Sequence, residues 1–227
     1  MCSRFSLATS PEEIRALFGY RNAPNFPPRH NIAPTQPIAV VRQTREKGRE
    51  LVFMRWGLIP GWVKDPGAFS LLINARSETA ATKPSFRGAM KYLRCLIPAD
   101  GFYEWTGPRG HKRAFYVHPR DGQLLAFAGL WEHWSGADGS EIESATILTT
   151  EANADVAPVH DRMPVLVAPD DFDAWLDCVR FPVSEVTGLL HPPPDGSLEV
   201  TEISTRVNNP ANDTPDVKKP LQGQLSG

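Results

Sequence analysis

The chain has 227 residues, enough to bury a core of its own as one large domain or two small ones. Hydrophobic residues make up 41% and charged residues 22%, and no apolar run approaches the roughly 20 residues of a spanning helix, which argues against a membrane protein. The 24 basic and 26 acidic residues nearly cancel to a net charge of -2, so bulk charge does not mark a nucleic-acid binder and any basic surface has to be local.

The N-terminus reads Met1-Cys2-Ser3-Arg4-Phe5 and turns polar at Thr9 and Ser10, without the basic and then apolar order of a signal peptide. A first helix is expected over 11–18: Ser10 caps it, Pro11 suits its first turn, Glu12 and Glu13 suit its positive end, and Ile14, Leu17 and Phe18 face inward. A Pro-rich loop over 22–37 follows. Strands are then expected at 38–43, 51–56, 93–98, 114–118, 124–131, 144–150 and 165–168. A second helix is expected over 170–178, with Phe172, Trp175 and Leu176 on one face, a third over 184–190, and a last strand over 198–204. Gly (17) and Pro (22) are frequent enough to favour short strands and turns over long helices.

Strands outnumber helices and do not alternate with them, so the expected fold is α+β, a single domain with a mostly antiparallel, barrel-like sheet and peripheral helices. No linker or internal repeat divides the chain. The domain is expected to span 1–209, with a mobile tail over 210–227, where large apolar residues thin out to Val217, Leu221 and Leu225. Cysteines occur at 2, 95 and 178 with no CxxC pair, which fits neither a disulfide framework nor a zinc cage and points to a reducing, cytoplasmic setting. No metal and no cofactor is implied.

Cys2 carries the most distinctive chemistry. Removal of Met1 would leave a 1,2-aminothiol, whose amine titrates near about 8 and thiol near about 8.5, so both are nucleophiles near neutral pH. The amine forms an imine with an aldehyde and the thiol closes it to a thiazolidine. Asn74 and Arg76 share one side if residues 73–78 are extended, a pairing suited to a phosphate and a sugar oxygen, although by local sequence alone a helix cap at Asn74 and a solvated arginine explain them better. Glu104 sits among Phe102, Tyr103 and Trp105, where a raised carboxyl pKa would suit proton transfer, unless it faces water at a strand edge. His160, Asp161 and Arg162 combine an imidazole, a carboxylate and a guanidinium; a structural histidine is the simpler alternative. Aromatic and basic neighbours such as Arg4 with Phe5, Arg55 with Trp56 and Trp62 with Lys64 suit a single-strand groove, and also arise by chance in a Trp-rich domain.

Together these stretches resemble the SOS-response-associated peptidase (SRAP) family of abasic-site processing proteins. The resemblance runs through Met1-Cys2-Ser3-Arg4-Phe5, Asn31-Ile32-Ala33-Pro34-Thr35, Trp56-Gly57-Leu58-Ile59-Pro60, Asn74-Ala75-Arg76-Ser77-Glu78-Thr79, Asp100-Gly101-Phe102-Tyr103-Glu104-Trp105, Ala128-Gly129-Leu130-Trp131-Glu132, His160-Asp161-Arg162-Met163-Pro164 and Val207-Asn208. It implies that Cys2, exposed as the new N-terminus, captures the aldehyde of an abasic site in single-stranded DNA as a thiazolidine during the DNA damage (SOS) response. It also implies catalytic roles for Cys2, Asn74, Glu104 and His160, and DNA contacts for Arg4, Arg76 and Arg162. The family name carries a peptidase activity, read here as self-removal of Met1. The family's usual glycine at position 3 is Ser3 in this chain. The implied protein is a cytoplasmic monomer, nucleoid-associated when bound to DNA. Two other readings stand beside it: a thiol hydrolase in which His160 activates Cys2 and Asn74 orients the histidine, and a non-covalent single-stranded DNA-binding module built on Arg76, Arg162 and the tryptophans.

Overall fold

The computed structural model describes residues 2–44, 46, 48–108 and 110–221. Its twelve strands are β1 (Phe5–Leu7), β2 (Arg29–Ile32), β3 (Pro37–Gln43), β4 (Arg49–Trp56), β5 (Asn74–Arg76), β6 (Arg94–Ala99), β7 (Gly101–Thr106), β8 (Arg113–Pro119), β9 (Leu125–Ser135), β10 (Glu141–Glu151), β11 (Arg162–Pro164) and β12 (Leu198–Ile203). Short helices lie between them: α1 (Pro11–Phe18), α2 (Ser77–Ala80), α3 (Arg87–Tyr92), α4 (Phe172–Leu176) and α5 (Val183–Val186).

Five strands close on themselves in the order β10-β4-β3-β6-β9, with β9 pairing back to β10. All contacts in this barrel are antiparallel except β10 with β4, which run parallel through Ser144↔Arg55 and Ala145↔Trp56. The expected α+β domain with a mostly antiparallel, barrel-like sheet is therefore present. A second, wholly antiparallel sheet, β12-β8-β7-β1-β2, accompanies it. β10 is long enough to serve four neighbours: β9 and β4 near its start, then β5 parallel at Ile147–Thr149 and β11 antiparallel at Thr149–Glu151. That shared strand brings residues 74 and 162 to the same part of the molecule.

Barrel and sheet meet through aromatic edges. The Phe5 ring of β1 lies 5.1 Å from Trp56 of β4 and 5.8 Å from Phe127 of β9, and Phe102 of β7 lies 6.2 Å from Phe127. Such edge-to-face contacts add to the burial of apolar area that drives the core together. Gly101 allows β7 to start this close to its neighbours, since a Cβ there would stand 2.5 Å from the Val117 carbonyl oxygen and 2.7 Å from the Tyr116 ring.

Local signals account for α1. Ser10 accepts from the Glu13 N–H while the Glu13 carboxylate accepts from the Ser10 N–H, and Gly19 ends the helix at φ 67°. The expected helix over 170–178 is shorter: a 3-10 turn at Pro169–Asp171 leads into α4, and Asp177 Oδ1 then accepts from the N–H groups of Val179 and Arg180. This side-chain turn takes over the donors that another helical turn would have used. The expected strand at 165–168 is reduced to a bridge between Leu166 and Phe127, flanked by backbone hydrogen bonds of Val165 with Leu148 and Ala128 and of Val167 with Ala126, and β11 just before it pairs with β10. The Pro-rich loop contains β2, and residues 187–189 of the expected third helix form a 3-10 turn.

Over 210–221, the part of the expected tail that is described, the chain makes specific contacts with the domain. Asp213 accepts from the N–H groups of His30 and Asn31 and pairs with Arg29, Val217 is fully buried, and Pro220 bridges Ile203. The thin apolar content of this strap goes with contacts that are mainly polar. Residues 222–227 of that expected tail lie outside the described residues.

Arg94 shows how polar groups are satisfied inside the domain. It is 1% exposed and donates to the carbonyl oxygens of Trp175 (2.6 Å), Phe181 (2.7 Å), Met90 and Asp177 (each 3.3 Å), tying β6 to the ends of α3 and α4. Arg94→Leu leaves these carbonyls without their donor in a desolvated site, so a loss of about 3 kcal/mol or more is expected in denaturant unfolding.

Candidate functional site

The antiparallel pairing of β1 between β2 and β7 fixes the approach of residues 2–4 to the core, and Arg4 extends the ladder by accepting from the Tyr103 N–H at 2.9 Å. Cys2 is fully buried, with its Sγ 3.6 Å from the Arg4 carbonyl oxygen. Asn74, at the start of β5, donates from Nδ2 to the Cys2 carbonyl oxygen at 2.7 Å. Its Oδ1 is buried and has no hydrogen-bond partner among the described residues, so it offers an acceptor beside the same residue. Burial pushes the Cys2 thiol far above its ordinary range, and the Glu104 carboxylate pushes it further. The expectation of a thiol titrating near its free value therefore gives way to one that needs a base in order to react.

Glu104 lies on β7, and its strand alternation turns the side chain inward: it is 2% exposed. Burial raises its pKa from 4.5 to about 7, with Lys112 pulling against that rise. Near neutrality it can thus serve as either acid or base, which excludes the alternative of a solvated strand edge. His160 follows a turn set by Asn153, whose Oδ1 accepts from the Val156 N–H, after which the His160 N–H donates to the Val156 carbonyl. Its Nδ1 lies 2.9 Å from the Arg162 backbone nitrogen, from which it accepts, and 3.0 Å from Asp161 Oδ1. Burial lowers its pKa and favours the neutral ring, whose proton then sits on Nε2, while the Asp161 carboxylate stands ready for the imidazolium.

Glu104 and His160 line one cleft of about 630 Å³, together with Ser3, Arg4 and Trp105. Lys112, Thr205 and Asn208 line it as well, from the β7–β8 hairpin and the 3-10 turn Thr205–Asn208 that follows β12. Cys2 and Asn74 are not on its surface. They join the site through the Arg4 and Cys2 backbones and through the field of Glu104 on the thiol. Ser3 does not require glycine's freedom, because its φ is not positive, so the departure from the usual glycine introduces no left-handed strain.

The three arginines differ in their engagement. Arg4 lines the cleft and donates from Nη1 to Asn31 Oδ1 and to the Val207 carbonyl oxygen, each at 2.8 Å, while its buried Nε has no partner among the described residues. Arg76 is exposed and does not line the cleft. Arg162 forks onto Glu78 at 2.5 and 2.9 Å and donates to the Thr149 carbonyl at 2.6 Å. Its guanidinium is thus largely taken up by protein, and the Glu78 carboxyl is held below its ordinary range, chiefly by that hydrogen bond. Asn74 orients Cys2 rather than His160, and the histidine is set by the Arg162 backbone; this departs from the hydrolase arrangement considered above. Sequence reasoning singled out neither Glu78 nor Lys112. The first needed the pairing across 84 positions, and the second carried a signal only as part of the basic stretch 109–113.

No cluster of His, Cys, Asp or Glu that would hold a metal ion occurs among the described residues, and none of their helices is long and apolar enough to cross a membrane.

Comparison with known proteins gives consistent findings. The family model described as SOS response associated peptidase (SRAP) matches residues 1–210. The abasic site processing protein YoqW of Bacillus subtilis is 36% identical over 96% of this chain and 98% of its own length. The abasic site processing protein HMCES of Gallus gallus is 30% identical over 98% of this chain and 78% of its own. A protein of known crystal structure from Bacteroides thetaiotaomicron superposes with a TM-score of 0.86 over 97% of this chain and 100% of its own, and at 22% identity it speaks to the fold alone. A second, from Bordetella bronchiseptica, has a TM-score of 0.77 at 29% identity, covering 89% of this chain and 100% of its own.

Proposed function

Because the chain belongs to the SOS response associated peptidase (SRAP) family, we propose that it processes abasic sites, capturing them covalently in single-stranded DNA through Cys2 once Met1 has been removed. The observation that carries this reading is the Asn74 amide hydrogen-bonded to the Cys2 carbonyl, beside a buried Glu104 whose field reaches the Cys2 thiol and whose pKa burial raises to about 7. A carboxyl of that pKa can give a proton and take one back within a single reaction near neutral pH.

The steps balance as follows. Glu104 protonates the deoxyribose ring oxygen as the hydroxyl on the anomeric carbon gives its proton to solvent water, which opens the ring to the aldehyde and leaves Glu104 as the carboxylate. The neutral α-amine of Cys2 adds to the carbonyl carbon. Loss of water gives the imine, with proton transfer assisted by His160 through Nε2. The thiol sulfur then adds to the imine carbon as its proton passes by way of the Glu104 carboxylate to the nitrogen, closing a thiazolidine; the net change is the loss of one water. The Asn74 Oδ1 acceptor is suited to orienting the amine. Ring closure protects the strand, because an imine acidifies the neighbouring carbon and promotes β-elimination, whereas the thiazolidine removes that electron sink.

An abasic nucleotide has no base to unstack, and a cleft open to an unpaired backbone favours single-stranded DNA. On this reading the protein works as a monomer in the cytoplasm, where it associates with nucleoid DNA during the SOS response. The test is the intact mass of protein mixed with a single-stranded oligonucleotide carrying one abasic site, without a reductant. A chain lacking Met1 that gains the oligonucleotide mass less one water supports the reading, and a Met1-free chain that gains nothing refutes it.

Asn74→Ala removes the 2.7 Å hydrogen bond to the Cys2 carbonyl and the neighbouring acceptor while leaving both nucleophiles in place. The capture rate is expected to fall about tenfold, the equivalent of one hydrogen bond of roughly 1.4 kcal/mol, in single-turnover adduct formation.

A further inference from the structure

Of the cationic side chains assigned above to the DNA, two are largely engaged by protein. Arg162 is forked onto Glu78, and Arg4 Nη1 donates to Asn31 and Val207. Arg76 stands outside the cleft. Lys112 differs from all three: it lines the cleft beside Glu104 and His160, it is exposed, and its ammonium makes no hydrogen bond or ion pair among the described residues. It enters from β7–β8, the hairpin whose first strand carries Glu104, so its distance from the reacting groups is set by the ladder pairing Glu104 with Phe115 and Trp105 with Ala114. Neutral donors share the cleft, namely the hydroxyls of Ser3 and Thr205.

From this geometry, and resting on the reading of the cleft as a site for single-stranded DNA, we propose that Lys112 is the phosphate-binding cation of the cleft, holding the backbone phosphate next to the captured nucleotide. A lysine ammonium acts on a phosphate as a mobile point charge and does not need the fixed fork of an arginine. That suits a backbone whose geometry changes as the sugar ring opens. The field of the same ammonium already reaches both neighbours, lowering the proton affinity of Glu104 and of His160. A bound phosphate would take up that charge.

The experiment measures the affinity of the Met1-free protein for a single-stranded oligonucleotide carrying a tetrahydrofuran abasic analogue, which has no aldehyde and cannot react. Fluorescence anisotropy is followed across a salt series for the wild type, Lys112→Gln and Lys91→Gln, the last being an exposed lysine that does not line the cleft. Loss of one phosphate contact on a single strand is expected to reduce the slope of log affinity against log salt by about 0.7 in Lys112→Gln. Affinity at low salt falls with it, and Lys91→Gln matches the wild type. An unchanged slope and affinity in Lys112→Gln, or an equal reduction in both variants, overturns the proposal. Covalent capture is scored separately on an aldehyde-bearing strand. A reduced slope with no wild-type adduct keeps the phosphate site and rejects the covalent reading, whereas a wild-type adduct with an unchanged slope does the reverse.

Discussion

A Cys2→Ala protein, freed of Met1, is expected to form no heat-stable adduct with abasic single-stranded DNA. The variant still presents an α-amine, so the first half of the chemistry survives: an imine forms, and cyanoborohydride traps it. The second half does not, because no sulfur is available to close the ring. The imine is left with an acidic neighbouring carbon, so strand cleavage by β-elimination should rise above that seen with the wild type. Loss of the stable adduct together with a gain in cleavage is more specific than loss of activity, and a cooperative thermal melt of the variant separates it from a misfolded protein, whose amines would also form imines. Cys2 is fully buried, but replacing its thiol by a hydrogen leaves a small void at the chain end, and a cost of about 1 kcal/mol is expected in thermal unfolding. A heat-stable adduct that persists in this variant without reductant would remove Cys2 from the mechanism.

The parts of the molecule that local sequence specifies were legible from sequence alone. The α1 helix is an example: its cap, its proline, its acidic first turn and its glycine stop all lie within residues 10–19, so its bounds need no tertiary information. Long strands such as β3, β8 and β9 were legible for a related reason, because β-branched and aromatic runs bounded by turn residues bury well only in sheets. β1 and β5 were not, since three residues cannot display an alternation, and both exist through pairing with distant partners, β7 and β10. Which strands close the barrel, and the parallel run of β10 against β4, depend on long-range register in the same way. At the site, the residue types of Cys2, Glu104 and His160 drew attention to elements that the fold brings near one another. A raised Glu104 was one of the two readings its aromatic neighbours allowed, but the burial that raises the Cys2 thiol and the Glu78 fork that occupies Arg162 stayed hidden, because they join segments far apart in sequence.

Glu104→Gln is expected to slow capture by about 100-fold or more, the usual effect of removing a general acid and base, and at the same time to stabilise the protein at alkaline pH. The two effects share one cause. Glu104 is 2% exposed, and burial raises its pKa from 4.5 to about 7. A carboxyl that holds its proton more tightly when folded makes the folded state bind more protons than the unfolded one between pH 4.5 and 7, so stability declines with rising pH across that window. Below it both states are protonated and the effect vanishes. Above it the folded protein carries the full cost of a buried charge, about 3 kcal/mol. Glutamine keeps the shape and cannot ionise. The variant should therefore unfold at nearly the same temperature as the wild type at pH 4 and several degrees higher at pH 8, as followed by thermal melts. The rate gives the complementary reading. Wild-type capture needs the acid to open the sugar and the carboxylate to relay the thiol proton, so its single-turnover rate should change through pH 7, and in Glu104→Gln that inflection should disappear. A variant that captures at the wild-type rate, or that is no more stable than the wild type at pH 8, would show that Glu104 is not the proton carrier of the cleft.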